Sequence, residues 1–297
     1  MGKGENMSII KTIAELNAWL DDYGRKEKSL GFVPTMGYLH EGHASLIKAA
    51  RAENELVVVS VFVNPTQFAP GEDFESYPRS IERDYALAVD AGADVVFNPE
   101  ASEIYGPDAS TFVEVTGEIT KKLCGASRPT HFKGVTTVVN ILLNIVSPDR
   151  AYFGQKDAQQ ALIIKKMARD LHMRVKVVVC PIVRETDGLA MSSRNVYLDS
   201  RERKQALCLN EGLKNALEYL NSGADDSRRV SKLIEVIEER IRREDLAVID
   251  YVRILDGETL EEITEIEPER SALAAVAVRF GKTRLIDNRI LTAKGRC

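Results

Sequence analysis

Residues 34–43 read Pro-Thr-Met-Gly-Tyr-Leu-His-Glu-Gly-His, and they separate a short apolar run from a segment with helical spacing. The run at 31–33 is typical of a buried strand, and residues 44–51 are rich in helix-forming side chains. The sequence therefore predicts a strand, a glycine-containing turn and a helix that begins beside two histidines. Because a helix start presents unpaired backbone N–H groups and the positive end of the helix dipole, we expect this turn to bind phosphate.

The two histidines favour a functional interpretation of this turn. The chain has four histidines, and His40 and His43 fall in one short window. A lone histidine is more often structural, but residues three apart share a helical face and reach the same ligand. Gly37 and Gly42 let the backbone come close to that ligand. The turn is neither a Walker A loop nor a Gly-x-Gly-x-x-Gly turn, which disfavours a kinase or a dehydrogenase.

Composition narrows the class of protein. With 297 residues, 44% hydrophobic and 29% charged, the chain is long enough for two domains of ordinary size. A net charge of −5 argues against a nucleic-acid partner. No apolar run approaches the roughly 20 residues of a membrane helix, and the polar first residues do not resemble a secretory signal, so we expect no membrane partner and a cytoplasmic location.

The cysteines are scattered, without a Cys-x-x-Cys pair. We therefore expect reduced thiols and no zinc site. The four residues are Cys124, Cys180, Cys208 and Cys297.

Strand and helix patterns alternate up to about residue 180. The run at 56–63 is almost continuous in β-branched residues, as expected of a central parallel strand covered on both faces. Further strands are predicted at 93–97, 111–115, 151–153 and 174–180, and helices at 9–28, 80–91, 118–123, 135–146 and from about 156 to 171. This alternation predicts an α/β fold with a Rossmann-like, doubly wound parallel sheet.

The pattern changes after Pro181. Two helices are predicted at 199–221 and 226–243, and three strands at 248–255, 273–280 and 283–287. Helices followed by strands predict a smaller α+β domain with an antiparallel sheet. We place the domain boundary at 182, with one domain over 1–182 and the other over 183–297.

Polar residues at strand ends are further candidates. Asn64 and Gln67 follow the 56–63 strand, and ligands of open α/β sheets bind at the carboxyl ends of strands. An ordinary Asn-Pro turn is the alternative. Lys156 at a predicted helix start opposes the helix dipole unless an anion offsets its charge, and this misfit indicates a functional site. Gln160 lies one turn further along the same face.

Two loops carry groups that bind anions. Arg128, His131 and Lys133 in the loop at 124–134 fit an anion-binding lid or a subunit contact. The hydroxyls and the arginine of the loop at 186–195 fit phosphate oxygens, with a helix cap as the alternative.

Asp84, on the predicted helix at 80–91, has two interpretations. It is either part of a solvated helix face or a metal ligand, and the solvated face is the simpler explanation.

Five motifs taken together resemble the pantothenate synthetase family of the nucleotidyltransferase superfamily. They stand in the family's order, and the resemblance covers nearly the whole chain. The motifs are Phe32-Val-Pro-Thr-Met-Gly-Tyr-Leu-His-Glu-Gly-His43, Val63-Asn-Pro-Thr-Gln-Phe68, Arg128-Pro-Thr-His-Phe132, Tyr152-Phe-Gly-Gln-Lys-Asp-Ala-Gln-Gln160 and Met191-Ser-Ser-Arg-Asn195.

This resemblance implies an ATP site in which four residues act on the phosphates or the proton, namely His43, His40, Lys156 and Arg194. The ATP-binding residues that it implies are Met36, Gly37, Tyr38, Leu39, His40, Glu41, Gly42, His43, Gly154, Gln155, Lys156, Asp157, Val183, Met191, Ser192, Ser193 and Arg194. It also implies that Gln67 and Gln160 hold pantoate, with Gln67 near β-alanine and Asn64 as a further contact.

The implied metal position is Asp84, which matches an acidic residue near the Mg²⁺ of the family. Its neighbour Arg83 stands where some members have a carboxylate, which weakens the metal assignment.

The implied reaction has two steps. ATP and (R)-pantoate give pantoyl adenylate and pyrophosphate, and β-alanine then attacks the adenylate and releases AMP. The implied partners are these small molecules with Mg²⁺, and a second copy of the chain in a homodimer.

Three alternatives stay open. A sister nucleotidyltransferase would share His40 and His43 without needing Gln67 and Gln160. A class I tRNA synthetase would need an anticodon-reading domain and a basic face. A nucleotide-binding regulator would bind ATP without catalysis.

Overall fold

The computed structural model describes residues 9–69, 71–72 and 74–293, which form two units. The first unit comprises Met1–Thr116 and Arg128–Pro181, and the second comprises Gly117–Ser127 and Ile182–Cys297. No pattern in the sequence indicated that residues 117–127 pack with the second unit. The division of function between the two predicted domains stays a prediction.

The first unit is built on a six-stranded parallel sheet in the order β1-β4-β3-β2-β5-β6. Its strands are β1 (Ile9–Ile10), β2 (Leu30–Thr35), β3 (Leu56–Val61), β4 (Val95–Phe97), β5 (Arg150–Gly154) and β6 (Lys176–Cys180). Every residue of β3 is buried, as the β-branched run predicted. The strand order reverses between β2 and β5, which is where open α/β sheets bind ligands.

Helices flank this sheet. Those with one face in solvent are amphipathic, and those packed against protein on most sides are apolar almost throughout. They are α1 (Ile13–Asp22), α2 (Glu41–Glu53), α3 (Ile81–Ala91), α4 (Ala101–Ile104), α6 (His131–Val146) and α7 (Ala158–Asp170), while α5 (Cys124–Ser127) belongs to the second unit. One core cluster joins Leu46 and Ile47 of α2 to Val57 and Val59 of β3 and Ala88 of α3. The predicted Rossmann-like parallel sheet is confirmed.

Three predicted elements of this part of the chain are wrong. Residues 9–28 are not one helix, because Ile9–Ile10 pair with β4 and α1 begins only after Thr12, which caps it. Residues 111–115 form no strand, and the backbone of Val113 bonds the hydroxyls of Thr136 and Thr137 on α6 instead. The predicted helix at 118–123 is only a short 3₁₀ turn at Glu118–Thr120.

The second unit carries the predicted antiparallel sheet, in the order β7-β8-β9. Its further elements are α8 (Ser200–Gln205), α9 (Cys208–Leu220), α10 (Val230–Ile241), β7 (Ala247–Asp256), β8 (Ser271–Phe280) and β9 (Thr283–Thr292). Helices α9 and α10 bury Leu213 and Ile237 against Val276 of the sheet.

The predicted helix at 199–221 is divided between α8 and α9. The Leu209 N–H donates to the carbonyl of Ala206, three residues back, so the α-helical ladder is interrupted there. No glycine or proline marks this break in the sequence.

Two sequence expectations concern the whole chain. In the described ranges, no helix is both long and apolar enough to cross a membrane. Cys124, Cys180 and Cys208 are free thiols, and Cys297 lies outside the described residues.

Candidate active site

The predicted histidine turn connects β2 to α2 and makes an abrupt change of direction. Met36, Gly37, Tyr38 and Leu39 form the turn, with φ angles of 85° at Gly37 and 51° at Tyr38. A Cβ on Gly37 would lie 2.9 Å from a methyl group of Val61, so that position requires glycine both for its φ angle and for space. The chain then enters α2 with Glu41 exposed in the first turn.

His40 and His43 are held by backbone N–H groups at the start of α2. The Gly42 N–H donates to Nδ1 of His40 at 3.1 Å, and the His40 N–H donates to Nδ1 of His43 at 3.3 Å. Because Nδ1 accepts in both rings, each neutral imidazole carries its proton on Nε2. The ring centroids are 4.2 Å apart. The turn therefore presents two adjacent imidazoles in the same donor tautomer.

Local electrostatics keep His43 neutral in the free protein. Its pKa lies well below the ordinary value, chiefly because the surrounding protein desolvates the charged ring, and also because His40 and Lys156 add positive potential. An anion bound here would offset the positive potential of His40 and Lys156 and would raise the pKa of His43. The site is therefore arranged to receive negative charge.

The turn after β5 lies next to the histidine turn, because β5 pairs with β2. Gly154 ends the strand, and Gln155, Lys156 and Asp157 form a short 3₁₀ helix ahead of α7. The Nζ of Lys156 lies 3.8 Å from a carboxylate oxygen of Asp157, and its side chain is about four-fifths buried (21% exposed). The structure thus places a cation at a helix start, as predicted. Gln160 is half-buried in the first turn of α7.

The turn after β3 is a neutral network centred on Asn64, which is 1% exposed. Its amide nitrogen donates to Oε1 of Gln67 at 3.1 Å and to the carbonyl of Gly134 at 3.2 Å. Its amide oxygen accepts from Tyr105 Oη at 2.7 Å and from Thr66 Oγ1 at 2.9 Å. Both polar atoms of the Asn64 side chain are therefore hydrogen-bonded within the protein, and one of these bonds orients the side chain of Gln67.

Gln67 is also held through its backbone, by the motif that starts at Arg128. The carbonyl of Gln67 accepts from Nδ1 of His131 at 2.9 Å and from Nη2 of Arg128 at 3.2 Å. Arg128 in turn makes a bidentate ion pair with Glu72, with both N···O distances 2.6 Å. A Cβ on Gly134 would lie 2.4 Å from the carbonyl oxygen of Thr66, so α6 packs directly against this turn.

The predicted anion-binding role of the 124–134 loop does not fit these contacts. Arg128 pairs with Glu72, and Lys133 lies 3.8 Å from Glu114 and over the ring of Phe112. Burial and the charge of Arg128 lower the pKa of His131 to about 4, so its ring is neutral. The sequence shows these charges but not the partners that occupy them.

Asp84 is buried, at 1% exposure, so the predicted solvated helix face is wrong. Its carboxylate accepts from the backbone N–H of Tyr38 at 2.7 Å and of Leu39 at 2.6 Å. Burial raises the pKa of Asp84, opposed by these N–H groups and by Arg83. Within the described ranges, no group of three or more His, Cys, Asp or Glu residues is arranged to hold a metal ion. The two backbone bonds of the carboxylate and the positive charge of the adjacent Arg83 disfavour Asp84 as a ligand of Mg²⁺.

The remaining predicted residues lie in the second unit. The N–H of Met191 donates to the carbonyl of Val183, which closes the loop between them. Ser192 Oγ accepts from the N–H of Arg194, so the helix-cap alternative is correct for Ser192, and Ser193 and Arg194 lie in the 3₁₀ helix Ser193–Tyr197.

The first unit thus brings together the turns after β2, β3 and β5. Gln67 donates a hydrogen bond to the sulfur of Met36, and the charge of Lys156 helps to lower the pKa of His43. Sequence reasoning missed Tyr105 and Glu72, which support Gln67 through other residues. No motif contains them, so only the folded structure could identify them.

Comparison with known proteins identifies the family. The family model for pantoate-beta-alanine ligase matches residues 8–290. The chain is 55% identical to the pantothenate synthetase of Thermotoga neapolitana over 285 residues, covering 96% of this chain and 100% of that protein. It is 53% identical to the pantothenate synthetase of Acetivibrio thermocellus, covering 96% of this chain and 99% of that protein.

Solved structures agree with this result. The crystal structure of pantothenate synthetase from Thermus thermophilus superposes with a TM-score of 0.89 at 45% identity, covering 97% of this chain and 100% of that one. Pantoate-beta-alanine ligase from Francisella tularensis, complexed with beta-gamma ATP and β-alanine, superposes with a TM-score of 0.78 at 35% identity, covering 96% and 98%. The chain therefore belongs to the pantoate–β-alanine ligase family.

Proposed function

We propose that the protein joins (R)-pantoate to β-alanine at the expense of ATP, through a pantoyl adenylate, with release of pyrophosphate and AMP. Family membership supports this reaction, as does the Francisella relative complexed with beta-gamma ATP and β-alanine. The single observation that carries the proposal is the pair of imidazoles at the start of α2, each accepting a backbone N–H at Nδ1.

The first step needs charge stabilisation more than it needs a base. A carboxylate is already a nucleophile at neutral pH, so the difficulty is to bring one anion to a polyanion. Preorganised donors aimed at developing charge usually contribute most to such catalysis. His40, His43 and Lys156 supply these donors at the switch point of the sheet.

We assign the triphosphate to these three side chains. The nucleoside is assigned to the other ATP-binding residues that the family resemblance implies. Bound phosphate raises the pKa of a neighbouring imidazole, so His43 becomes a better proton donor only when ATP is present. Lys156 neutralises phosphate charge, and we assign Asp157 to the ribose from the family resemblance. Arg194 with Ser192 and Ser193 adds phosphate donors from the second unit, which we propose acts as a lid.

Pantoate is assigned to the amides of Gln67 and Gln160. A neutral amide binds hydroxyls and a carboxylate without the strong electrostatic attraction that would blunt nucleophilic attack. Asn64 acts by orienting Gln67, because all its polar atoms contact protein groups.

Mg²⁺ is proposed to be held mostly by ATP oxygens and water, as is common for this ion, and to neutralise phosphate charge there. Since ATP is the substrate, we place the enzyme in the cytoplasm.

A homodimer is also proposed, from the family resemblance. The segment at 111–115 joins no sheet and leaves the side chain of Phe112 54% exposed, and we propose that this apolar side chain contacts the second copy. Analytical ultracentrifugation of Phe112→Asp beside the unaltered protein tests it, and a monomer in the unaltered protein would contradict it.

Pyrophosphate release tests the reaction. Purified protein receives ATP and Mg²⁺, first alone, then with pantoate, then with β-alanine. We expect release only with pantoate, and sustained turnover with AMP only when β-alanine is added. ATP binding without any pantoate-dependent release would favour the nucleotide-binding regulator instead.

A further inference from the structure

The carboxylate of Asp84 is the one side chain that ties α3 to the histidine turn through two backbone N–H groups in the described residues. Asp84 lies in the first turn of α3, is 1% exposed, and reaches residues 38 and 39 with distances of 2.7 and 2.6 Å. Each of its two oxygens accepts one of these bonds. The carboxylate therefore binds the turn through two hydrogen bonds, as a bound anion does at other clusters of backbone N–H groups.

The turn needs such an anchor because its backbone is strained. Gly37 and Tyr38 both have positive φ angles, and for Tyr38, at 51°, this region is unfavourable because the residue carries a Cβ. Arg83 stacks its guanidinium 4.5 Å from the centre of the Tyr38 ring and holds the same residue from outside. Without a strong acceptor for the two N–H groups, the turn would relax.

The anchored residues directly precede the helix start that orients the imidazoles. Leu39 is followed by His40, whose own N–H fixes Nδ1 of His43. A shift at Leu39 would therefore move the backbone N–H groups of residues 40 and 42, which hold Nδ1 of both rings. The position of Asp84 thus controls the two donors indirectly.

We propose that Asp84 is a positioning residue for the histidine turn and does not bind Mg²⁺. The inference rests on the proposed function of His40 and His43 as ATP donors. The carboxylate is buried with each oxygen already accepting a backbone N–H, and the positive charge of the adjacent Arg83 disfavours a cation beside it.

The test compares Asp84→Asn and Asp84→Glu with Glu82→Gln, an exposed acidic residue on the same turn of α3. Asparagine keeps the size of the side chain, whereas glutamate keeps the charge and a metal-binding carboxylate but misplaces it. ATP binding is measured by calorimetry with EDTA, so that no metal is present, and pyrophosphate release is measured against Mg²⁺ concentration.

We expect both Asp84 variants to bind metal-free ATP about tenfold to a hundredfold more weakly, the range that corresponds to a lost hydrogen bond to a charged group. Their Mg²⁺ concentration for half-maximal activity should stay within about twofold of the unaltered enzyme, and Glu82→Gln should change neither quantity. Unchanged metal-free binding with a higher Mg²⁺ requirement, relieved in Asp84→Glu, would overturn the proposal.

A second measurement covers the case in which a variant folds poorly or the reaction is not the one proposed. Nitrogen-15 NMR of the imidazoles, without nucleotide, should show the Nε2–H tautomer at His40 and His43 in the unaltered protein and a mixture in whichever Asp84 variant folds. An unaltered tautomer pattern in that variant would overturn the positioning role, whatever the substrate is. Failure of pantoate-dependent release in the unaltered enzyme would instead reject only the proposed function.

Discussion

The turns that follow β2 and β3 lie at the same edge of one sheet, but the histidines at the two turns hydrogen-bond through Nδ1 in opposite directions. After β2, two imidazoles have Nδ1 occupied by backbone N–H groups and keep a proton on Nε2. At the turn after β3, His131 donates from Nδ1 to the carbonyl of Gln67, while its Nε2 lies 3.2 Å from Nη1 of Arg128. Both ring nitrogens of His131 therefore contact protein groups, whereas we propose that the first pair of rings contacts a ligand.

The charges show the same division. The charge of Lys156, from the turn after β5, helps to lower the pKa of His43. Arg128, which contacts the carbonyl of Gln67, is instead paired with Glu72. A polyanion such as a triphosphate is best held by cations and ionisable donors. A carboxylate that must attack is better held by neutral amides. We therefore propose that the charged half, formed by the turns after β2 and β5, receives the triphosphate, and that the neutral half, the turn after β3, receives pantoate.

The largest effect is expected from Lys156→Ala, which removes the cation from the charged half. Losing one preorganised donor typically costs ~3–4 kcal/mol of barrier, or about 10²–10³ in the rate of adenylate formation. Single-turnover pyrophosphate release measures this, with Lys165→Ala, an exposed lysine of α7, as control. A rate near that of the unaltered enzyme would remove Lys156 from the mechanism.

The Nε2–H tautomer predicts different outcomes for two substitutions of His43. Glutamine places an N–H donor near the position of Nε2, whereas asparagine places one only near Nδ1. His43→Asn should therefore slow adenylate formation about 10²-fold or more, and His43→Gln clearly less. Equal losses in rapid-quench experiments would show that the position of the donor is unimportant.

His131, in the neutral half, should make folding stability depend on pH. Its pKa is about 4 when folded and near its ordinary 6.5 when unfolded, so between these values only the unfolded chain takes up the proton. Stability should fall as the pH drops from 6.5 towards 4, by up to ~3 kcal/mol from this residue.

Urea unfolding of the unaltered protein and of His131→Gln at pH 7 and pH 4.5 measures that slope. The variant should lose less stability on acidification, even if it is less stable at pH 7. Parallel losses in both proteins would place the pH dependence elsewhere.

The smallest effect concerns the ion pair that supports Gln67. The side chains of Arg128 and Glu72 are 21% and 25% exposed, and their bidentate geometry suggests a coupling of about 1 kcal/mol. A double-mutant cycle with Arg128→Ala and Glu72→Ala, followed by urea unfolding, gives this value. Additive single losses would mean that the pair does not stabilise the turn after β3.

Much of the first unit was predictable because local patterns and tertiary structure agree there. The β-branched run at 56–63 became the buried strand β3, and the glycine-histidine turn begins a helix as expected. The strand pattern at 111–115 failed because no other strand of the described chain lies beside it. Pairing partners are a tertiary property that alternation alone does not show.

The supporting residues were not predictable for a similar reason. Asp84 is 45 residues from Leu39, and Tyr105 is 41 residues from Asn64. Their hydrogen bonds form only after the strands align, so no spacing in the sequence marks them. By contrast, local sequence was enough to predict the position of Lys156 at a helix start and to propose it as a site residue, because a cation there is unfavourable by itself.

The most direct test of the division between the two halves is the KM of each substrate in Lys156→Ala and Gln67→Ala, measured side by side. Gln67→Ala should raise the KM of pantoate about tenfold or more, as expected for a lost hydrogen bond to a charged group, and leave the KM of ATP within about twofold. Lys156→Ala should do the reverse. If either variant raises both values equally, the two turns do not divide the substrates between them, and the proposed division is wrong.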